Sequence, residues 1–337
     1  MSPPRVTMKS LAAELGVSRS TVSFVLGGEA DKRRIHPDTA QRILLRATEL
    51  GFRPDYFAQA LNTRRTGSIG LVFPDVHEAY MSQMVRGIDE VLGQHSALMV
   101  LTSSRLDRVV ERRNVESLLH RGIDGLLVVP CADFRGTVSS VSPLSDVLRQ
   151  AGVPVVAIDR VPAGWVGDCV VQDDQAAARR IVERLLNGGA RRVALVSFDL
   201  EASSLDHRRQ GYLEALAGAG LEPDPRLSVL LTEVNPASTD LSRSVSRLLA
   251  LPPDERPDAW FVTTAGLAYR TREVVAQQQG FPPPGMARFG ADPAYHPSGM
   301  YSVVQPHQAL GRRAAELLFQ RLRDPSGPPV QDLVATS

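Results

Sequence analysis

Apolar positions in the first fifty residues recur at helical spacing in three short blocks, Leu11 with Leu15, then Val22, Val25 and Leu26, then Ile43, Leu44 and Ala47. Thr7 stands where a first helix ending near Leu15 needs its N-cap. Gly16 then supplies a turn, and Ser18 caps a second helix over residues 19–26. A charged stretch from 27 to 35 leads to Pro37-Asp38, which starts a third helix that stops at Gly51. The spacing predicts one small core made from Leu11, Leu15, Val22, Val25, Leu26, Ile43 and Leu44.

From Ser68 the texture changes to apolar strands alternating with amphipathic helices. Strands are expected at 69–74, 97–102, 125–130 and 153–159, with helices at 84–92, 109–120 and 144–151. A second series begins at Val170-Val171 and runs through helix 176–187, strand 192–198, helix 208–219, strand 259–263 and helix 267–279. Such alternation means parallel sheet covered on both faces. The series is too long for one ordinary sheet, so two α/β lobes are expected, with a ligand cleft at the carboxyl ends of the strands. Proline clusters at 252–253, 282–284 and 328–329 mark surface loops.

Composition narrows the class. The 337 residues are 43% hydrophobic and 22% charged, as in an ordinary soluble protein, and no apolar run is long enough to span a bilayer. A cytoplasmic protein without anchor or signal peptide is expected. Cys131 and Cys169 show neither metal-ligand spacing nor a disulfide framework. The net charge of +1 conceals an asymmetry: residues 1–66 hold eleven bases and six acids, whereas the remainder has four more acids than bases. A basic head on a mildly acidic body suits contact with phosphates through the head alone.

At 100° per residue, Val22, Val25 and Leu26 share one face of the second helix, and Ser20, Ser23 and Phe24 the other, with Arg19 in the first turn. A recognition helix offers that outer face and its N-terminal residues to base edges in the major groove. Arg19 can pair with guanine, and Ser20 and Ser23 can donate to bases or phosphates. Phe24 has two readings: its ring covers a thymine methyl, or it folds back onto the 27–35 loop.

The run from Lys9 to Leu26, the Gly51-Phe52-Arg53-Pro54 junction and the Ala60-Leu61 segment together resemble the lactose-repressor (LacI-type) family of bacterial regulators. The resemblance continues through Ile69-Gly70-Leu71-Val72-Phe73-Pro74-Asp75, Gly122-Ile123-Asp124-Gly125, and Val153-Pro154-Val155-Val156-Ala157-Ile158-Asp159-Arg160. Gly211-Tyr212-Leu213-Glu214-Ala215-Leu216, Val304-Gln305-Pro306 and Gly311-Arg312-Arg313-Ala314-Ala315-Glu316 extend it to nearly the whole chain. It implies an all-α helix-turn-helix head (1–52), a hinge helix (53–66) and a two-lobed, periplasmic-binding-protein-like α/β effector domain with parallel sheets (67–337). Lobe 1 is expected at about 67–167 and 300–324, and lobe 2 at about 168–299 and 325–337.

The same resemblance implies a homodimer, or a tetramer built from it, on a palindromic duplex operator. The residues expected at the DNA are Thr7, Lys9, Ser18, Arg19, Ser20, Thr21, Ser23, Phe24, Arg53, Asp55, Ala58 and Leu61. Leu61 matches the hinge leucine that wedges between central base pairs and kinks the duplex. Asp55 departs from the family's usual asparagine. Those expected at a small-molecule effector are His77, Tyr80, Asp159, Asp173, Arg208, Thr264 and Asp292. Two departures bear on that ligand: Thr264-Ala265 stands where the family commonly has Asn-Asp, and Asp173-Asp174 where it has Asp-Asn. Loss of a sugar-gripping carboxylate argues against an ordinary hexose as effector. Neither cofactor nor metal is implied.

An enzyme on this α/β scaffold is the rival class. The chain has no Gly-x-Gly-x-x-Gly after a strand, no Gly-x-x-x-x-Gly-Lys, no His-Glu-x-x-His and no Gly-x-Ser-x-Gly. A solute-binding protein fits the body but has no use for a basic head. The expectation is a sequence-specific DNA-binding regulator, a repressor, under effector control.

Overall fold

Thr7 takes extended backbone and accepts the Ser10 amide, which starts α1 (Met8–Leu15); Ser10 answers with its own hydroxyl in a capping box. Gly16, with φ +65°, ends α1 in the left-handed conformation that glycine adopts without steric cost. Ser18 accepts the Thr21 amide at 3.0 Å and starts α2 (Arg19–Leu26). Both caps are those the sequence predicts. Pro37 opens α3 (Pro37–Glu49), and Gly51 follows it with φ +59°. In the computed structural model, residues 6–52, 65–75, 80–136, 144–233, 239–278, 285–290 and 300–336 are described. The chain divides into two units, Met1–Thr66 and Gly67–Ser337.

The core of the first unit is Leu11, Ala12, Val22, Val25, Ile43 and Ala47, with Leu15 and Leu26 partly buried around it. Leu44 corrects the sequence reading, because it is 50% exposed. Ile43 and Ala47 lie one turn apart and define the inward stripe of α3, and Leu44 lies 100° round from Ile43. Arg46 ties α3 to α1 by bonding Glu14 at 2.6 Å and Glu49 at 2.8 Å.

The second unit holds two parallel sheets. Lobe 1 is built from β1 (Ser68–Phe73), α4 (Met81–Gln94), β2 (Leu98–Ser103), α5 (Arg108–His120), β3 (Gly125–Val128), α6 (Leu144–Arg149), β4 (Val155–Ile158) and β5 (Asp168–Gln172). Lobe 2 follows as α7 (Asp174–Asn187), β6 (Val193–Phe198), α8 (Ser203–Gly218), β7 (Ser228–Leu231), α9 (Asp240–Leu249), β8 (Ala259–Val262), α10 (Ala265–Gln277), β9 (Gly285–Phe289) and β10 (Met300–Val303). The chain then returns to lobe 1 as α11 (His307–Arg323) and β11 (Gln331–Val334).

The strand orders are β11-β5-β4-β3-β1-β2 and β10-β9-β8-β6-β7. They correct the expected lobe boundaries. Residues 168–172 and 331–334 belong to the lobe 1 sheet, and 300–303 to the lobe 2 sheet. Apolar texture marks a strand, whereas its sheet is decided by a partner distant in sequence. Each sheet is covered on both faces. In β1, Ile69, Leu71 and Phe73 pack toward α4 and α11, and Val72 packs on the opposite side with Val115 and Leu118 of α5.

Candidate functional site

In the head, the Ser18 hydroxyl that caps α2 also lies 2.7 Å from the Ser20 hydroxyl and 2.8 Å from that of Thr21. These three candidates therefore form one hydroxyl cluster at the α2 N-terminus, where backbone N–H groups and the helix dipole favour an anion. Arg19 and Ser20 are exposed beside it, as is Lys9 on α1; Ser23 is half-buried. Thr7 spends its hydroxyl on the α1 cap. Phe24 is half-buried, and the Arg33 guanidinium carbon sits 4.4 Å from its ring centroid. Arg33 is steadied in turn by Glu29 at 3.3 Å. The ring thus follows the second of its two readings, packing toward the 27–35 loop. Arg53, Asp55, Ala58 and Leu61 lie outside the described residues.

In the body, the carboxyl ends of the strands in both sheets face a common cleft. The loops bordering it on one side are stitched together: Arg135 donates its amide to the Asp199 carbonyl at 2.9 Å, and Glu201 to the Asp133 carbonyl at 2.7 Å. Phe134 and Leu200 form an antiparallel bridge between these bonds. Arg135 also pairs with Asp199 and Asp206, and the Val161 amide donates to Ser203 Oγ at 3.0 Å.

Tyr80, Asp159 and Arg208, three of the expected effector residues, come together around His307. Tyr80 precedes α4, and its ring stacks on His307 with centroids 4.8 Å apart, while Phe73 lies 5.5 Å away on the other side. Asp159 ends β4 with φ +68°, a left-handed conformation rare for a residue with a side chain. It is 5% exposed, its Oδ2 lies 3.5 Å from Arg160 Nε, and its Oδ1 has no hydrogen-bond partner. Burial pushes His307 down to about 4, against Asp159, which pulls it up; Arg208 adds to the depression. The imidazole is therefore neutral at physiological pH.

Arg208, on α8, is locked on the lobe 2 side. Its Nε donates to Asp174 Oδ1 and its Nη1 to the Thr263 carbonyl, both at 2.7 Å, and its guanidinium carbon lies 4.1 Å from the Phe289 ring centroid. Asp174 also accepts from Gln172 Nε2 at 2.7 Å. Burial raises the Asp174 carboxyl above its ordinary range, and Arg208 opposes that shift. Behind Arg160, the buried Glu111 carboxylate accepts the Cys131 amide at 2.6 Å. Burial raises Glu111 to about 6, opposed by that hydrogen bond and by Arg108 and Arg160.

Two expected effector residues do something local instead. Asp173 accepts the Ala176 amide as the cap of α7, and Thr264 accepts the Leu267 amide as the cap of α10. His77 and Asp292 lie outside the described residues. Asp174, Gln172, Arg160 and His307 are missing from the sequence-based list. The available signals were the second aspartate of Asp173-Asp174 and the position of His307 directly after Val304-Gln305-Pro306.

Comparison with known proteins agrees with this architecture. Residues 66–281 match the family model described as periplasmic binding proteins and sugar binding domain of LacI family. The HTH-type transcriptional regulator RafR of Escherichia coli is 32% identical over 253 residues, covering 73% of this chain and 70% of RafR. The ribose operon repressor of Haemophilus influenzae is 24% identical over 325 residues, covering 95% of this chain and 93% of that protein. Among solved structures, a CelR–cellobiose complex shows 27% identity and a TM-score of 0.69, with 99% of this chain and 98% of CelR covered. The lac repressor dimer bound to operator shares the fold at a TM-score of 0.80 with 19% identity, covering 99% of this chain and 97% of that one. With a helix-turn-helix head, a two-lobed parallel α/β body and this pattern of relatives, the chain belongs to the LacI family of DNA-binding transcriptional regulators.

Proposed function

We propose that the protein is a repressor that binds a palindromic operator as a homodimer, and that a small molecule in the interlobe cleft controls it. The observation that carries this reading is the cleft itself: Asp159 Oδ1, Gln172 Oε1 and Arg160 Nε are buried without hydrogen-bond partners where the two lobes meet. Buried polar atoms are ordinarily paired, so a cluster of unpaired ones at the carboxyl ends of two parallel sheets reads as a place for a ligand. The exposed Arg19-Ser20 turn of α2 supplies the reading surface for DNA.

Homodimerisation is supported by β2, the edge strand of the lobe 1 sheet. Leu98, Val100 and Leu101 on it are exposed, as are Leu106 and Val109 just beyond. An apolar sheet edge of this kind is a liability unless another surface covers it. A second copy is the cover that a palindromic operator requires. Among relatives, the lac repressor structure is a dimer on its operator and CelR is complexed with cellobiose. For this chain the effector is not an ordinary hexose, since Thr264 caps α10 and Ala265 carries no polar group. Among the described residues no helix is long and apolar enough to cross a membrane, which accords with a regulator that meets DNA in the cytoplasm.

Control works by population shift: a ligand that favours one arrangement of the lobes by a few kcal/mol, roughly, suffices to release or recruit the operator. The test is selection from a random duplex DNA pool with the full-length protein, followed by sequencing. The expected product is a palindrome with a flexible central step. Weak, salt-sensitive binding with no enriched motif would sink the proposal.

A further inference from the structure

Arg208 is the cation best placed to grip an anion in the cleft, and its donors are already engaged. Its Nε is on Asp174, its Nη1 on the Thr263 carbonyl, and one π-face lies on Phe289. An arginine holds a carboxylate or phosphate through a paired fork of N–H donors. Here a carboxylate built into the protein already takes part of that fork, in an ion pair whose partners are 5% and 2% exposed. An external anion would have to displace Asp174 or sit beside it, with Asp159 also nearby.

The groups left over are mainly acceptors. Asp159 Oδ1 has no partner. Gln172 is 1% exposed, and its amide orientation is fixed because only the nitrogen can donate to Asp174. Its Oε1 is therefore turned away from Asp174 and has no partner either. Arg160 Nε adds one donor beside Asp159. Unsatisfied buried acceptors are costly, and a ligand that brings hydroxyl donors removes that cost.

We propose that Asp174 decides the charge of the molecule the cleft accepts: by holding Arg208 it excludes carboxylates and phosphates, and it leaves Asp159 and Gln172 to receive protons from an uncharged, polyhydroxylated ligand. This deepens the reading of the cleft as the effector site and rests on it. Asp174 acts through Arg208, so it is a positioning residue.

The test titrates the full-length protein, Asp174→Asn, and the double variant Asp174→Asn/Arg208→Gln at constant ionic strength. One probe is inorganic phosphate; the other is a panel of neutral sugars and sugar alcohols, each paired with its carboxylate and phosphate derivative. Wild type is expected to show no saturable phosphate binding. Asp174→Asn should bind phosphate at least about tenfold more tightly, and the double variant should lose that gain. A neutral panel member that binds wild type should lose at least about tenfold in affinity with Asp159→Asn. The inference is overturned if a charged panel member binds wild type through Arg208, or if folded Asp174→Asn gains no phosphate affinity. Should Asp174→Asn fail to fold, the double variant decides, since it carries neither charge: neutral-ligand affinity kept within about threefold supports the role, and its loss overturns it. When no panel member binds wild type, the phosphate comparison alone is decisive. Failure of the effector-site reading looks different: a compound then alters operator affinity although neither Asp159→Asn nor Arg208→Gln alters its binding, and the inference falls with it.

Discussion

The rings of Tyr80 and His307 stack at 4.8 Å and 27°, joining the residue before α4 to the first residue of α11. The stack keeps His307 buried and neutral, so the lobe carries an acid-sensitive contact beside Asp159. With the folded value about 4 and the model value 6.5, the unfolded chain takes up this proton first. Stability is therefore complete above pH 6.5 and is lost as pH falls from there toward 4, by about 3 kcal/mol for this group alone. Glu111, raised from 4.5 to about 6, acts oppositely, since its stability is present at low pH and lost as pH rises through that window. The two contributions partly cancel in wild type, so the informative quantity is the difference between wild type and His307→Gln. Denaturant titrations from pH 7.5 to 4.5 should show the variant losing less stability on acidification. Parallel curves would mean that His307 is not held neutral.

The packing of α4 on α11 depends on two glycines. A Cβ on Gly87 would overlap the Gln308 carbonyl oxygen, and one on Gly311 the Met84 carbonyl oxygen. Backbone atoms cannot move aside as a flexible side chain can. Gly311→Ala is therefore expected to cost about 1–3 kcal/mol. Gly93→Ala on the same α4, where nothing lies within 4 Å, should instead stabilise by about 0.5–1 kcal/mol. Chemical denaturation of the two variants checks both signs, and equal effects would refute the close-packing account.

Arg19 is exposed in the first turn of α2, clear of the hydroxyl cluster that caps the helix. Arg19→Ala should cost about 1–3 kcal/mol on the selected operator and relax preference at one base pair of each half-site. Phe24→Ala, which frees Arg33 from its ring, should weaken binding evenly across sequences if the ring only packs against the loop. A change confined to one base position would restore Phe24 to direct readout. Competition with single-substituted operators separates the outcomes.

Leu61 is proposed as the wedge between central base pairs. Leu61→Ala is expected to weaken operator binding while leaving dimer mass and core stability unchanged, because a hinge this short orders against DNA and its dimer mate rather than alone. Operator affinity equal to wild type would remove the hinge assignment.

The β2 edge gives a test of assembly. Leu98 is 66% exposed in the single chain. Leu98→Asp should lower the dimer fraction in analytical ultracentrifugation and weaken operator binding in step, since paired half-sites need both heads. A variant that remains dimeric would move the interface to another face.

Local signals in the sequence were enough for the head and for the strand–helix alternation. Thr7, Gly16, Ser18 and Pro37 act through hydrogen bonds and dihedral limits within a few residues, so their roles are readable without the fold. The alternation of Ile69, Leu71 and Phe73 with Gly70 and Val72 likewise reports a strand buried on both faces. Tertiary structure decided what depends on distant partners. The allocation of 168–172, 300–303 and 331–334 to sheets follows from parallel pairing between remote strands. The pairing of Arg208 with Asp174 arises because α7 and α8 pack face to face at Gly211, where a Cβ would strike the Gln175 carbonyl. Periodicity tells which face of an element is buried; only the packing of that face against another chooses which charge an arginine meets.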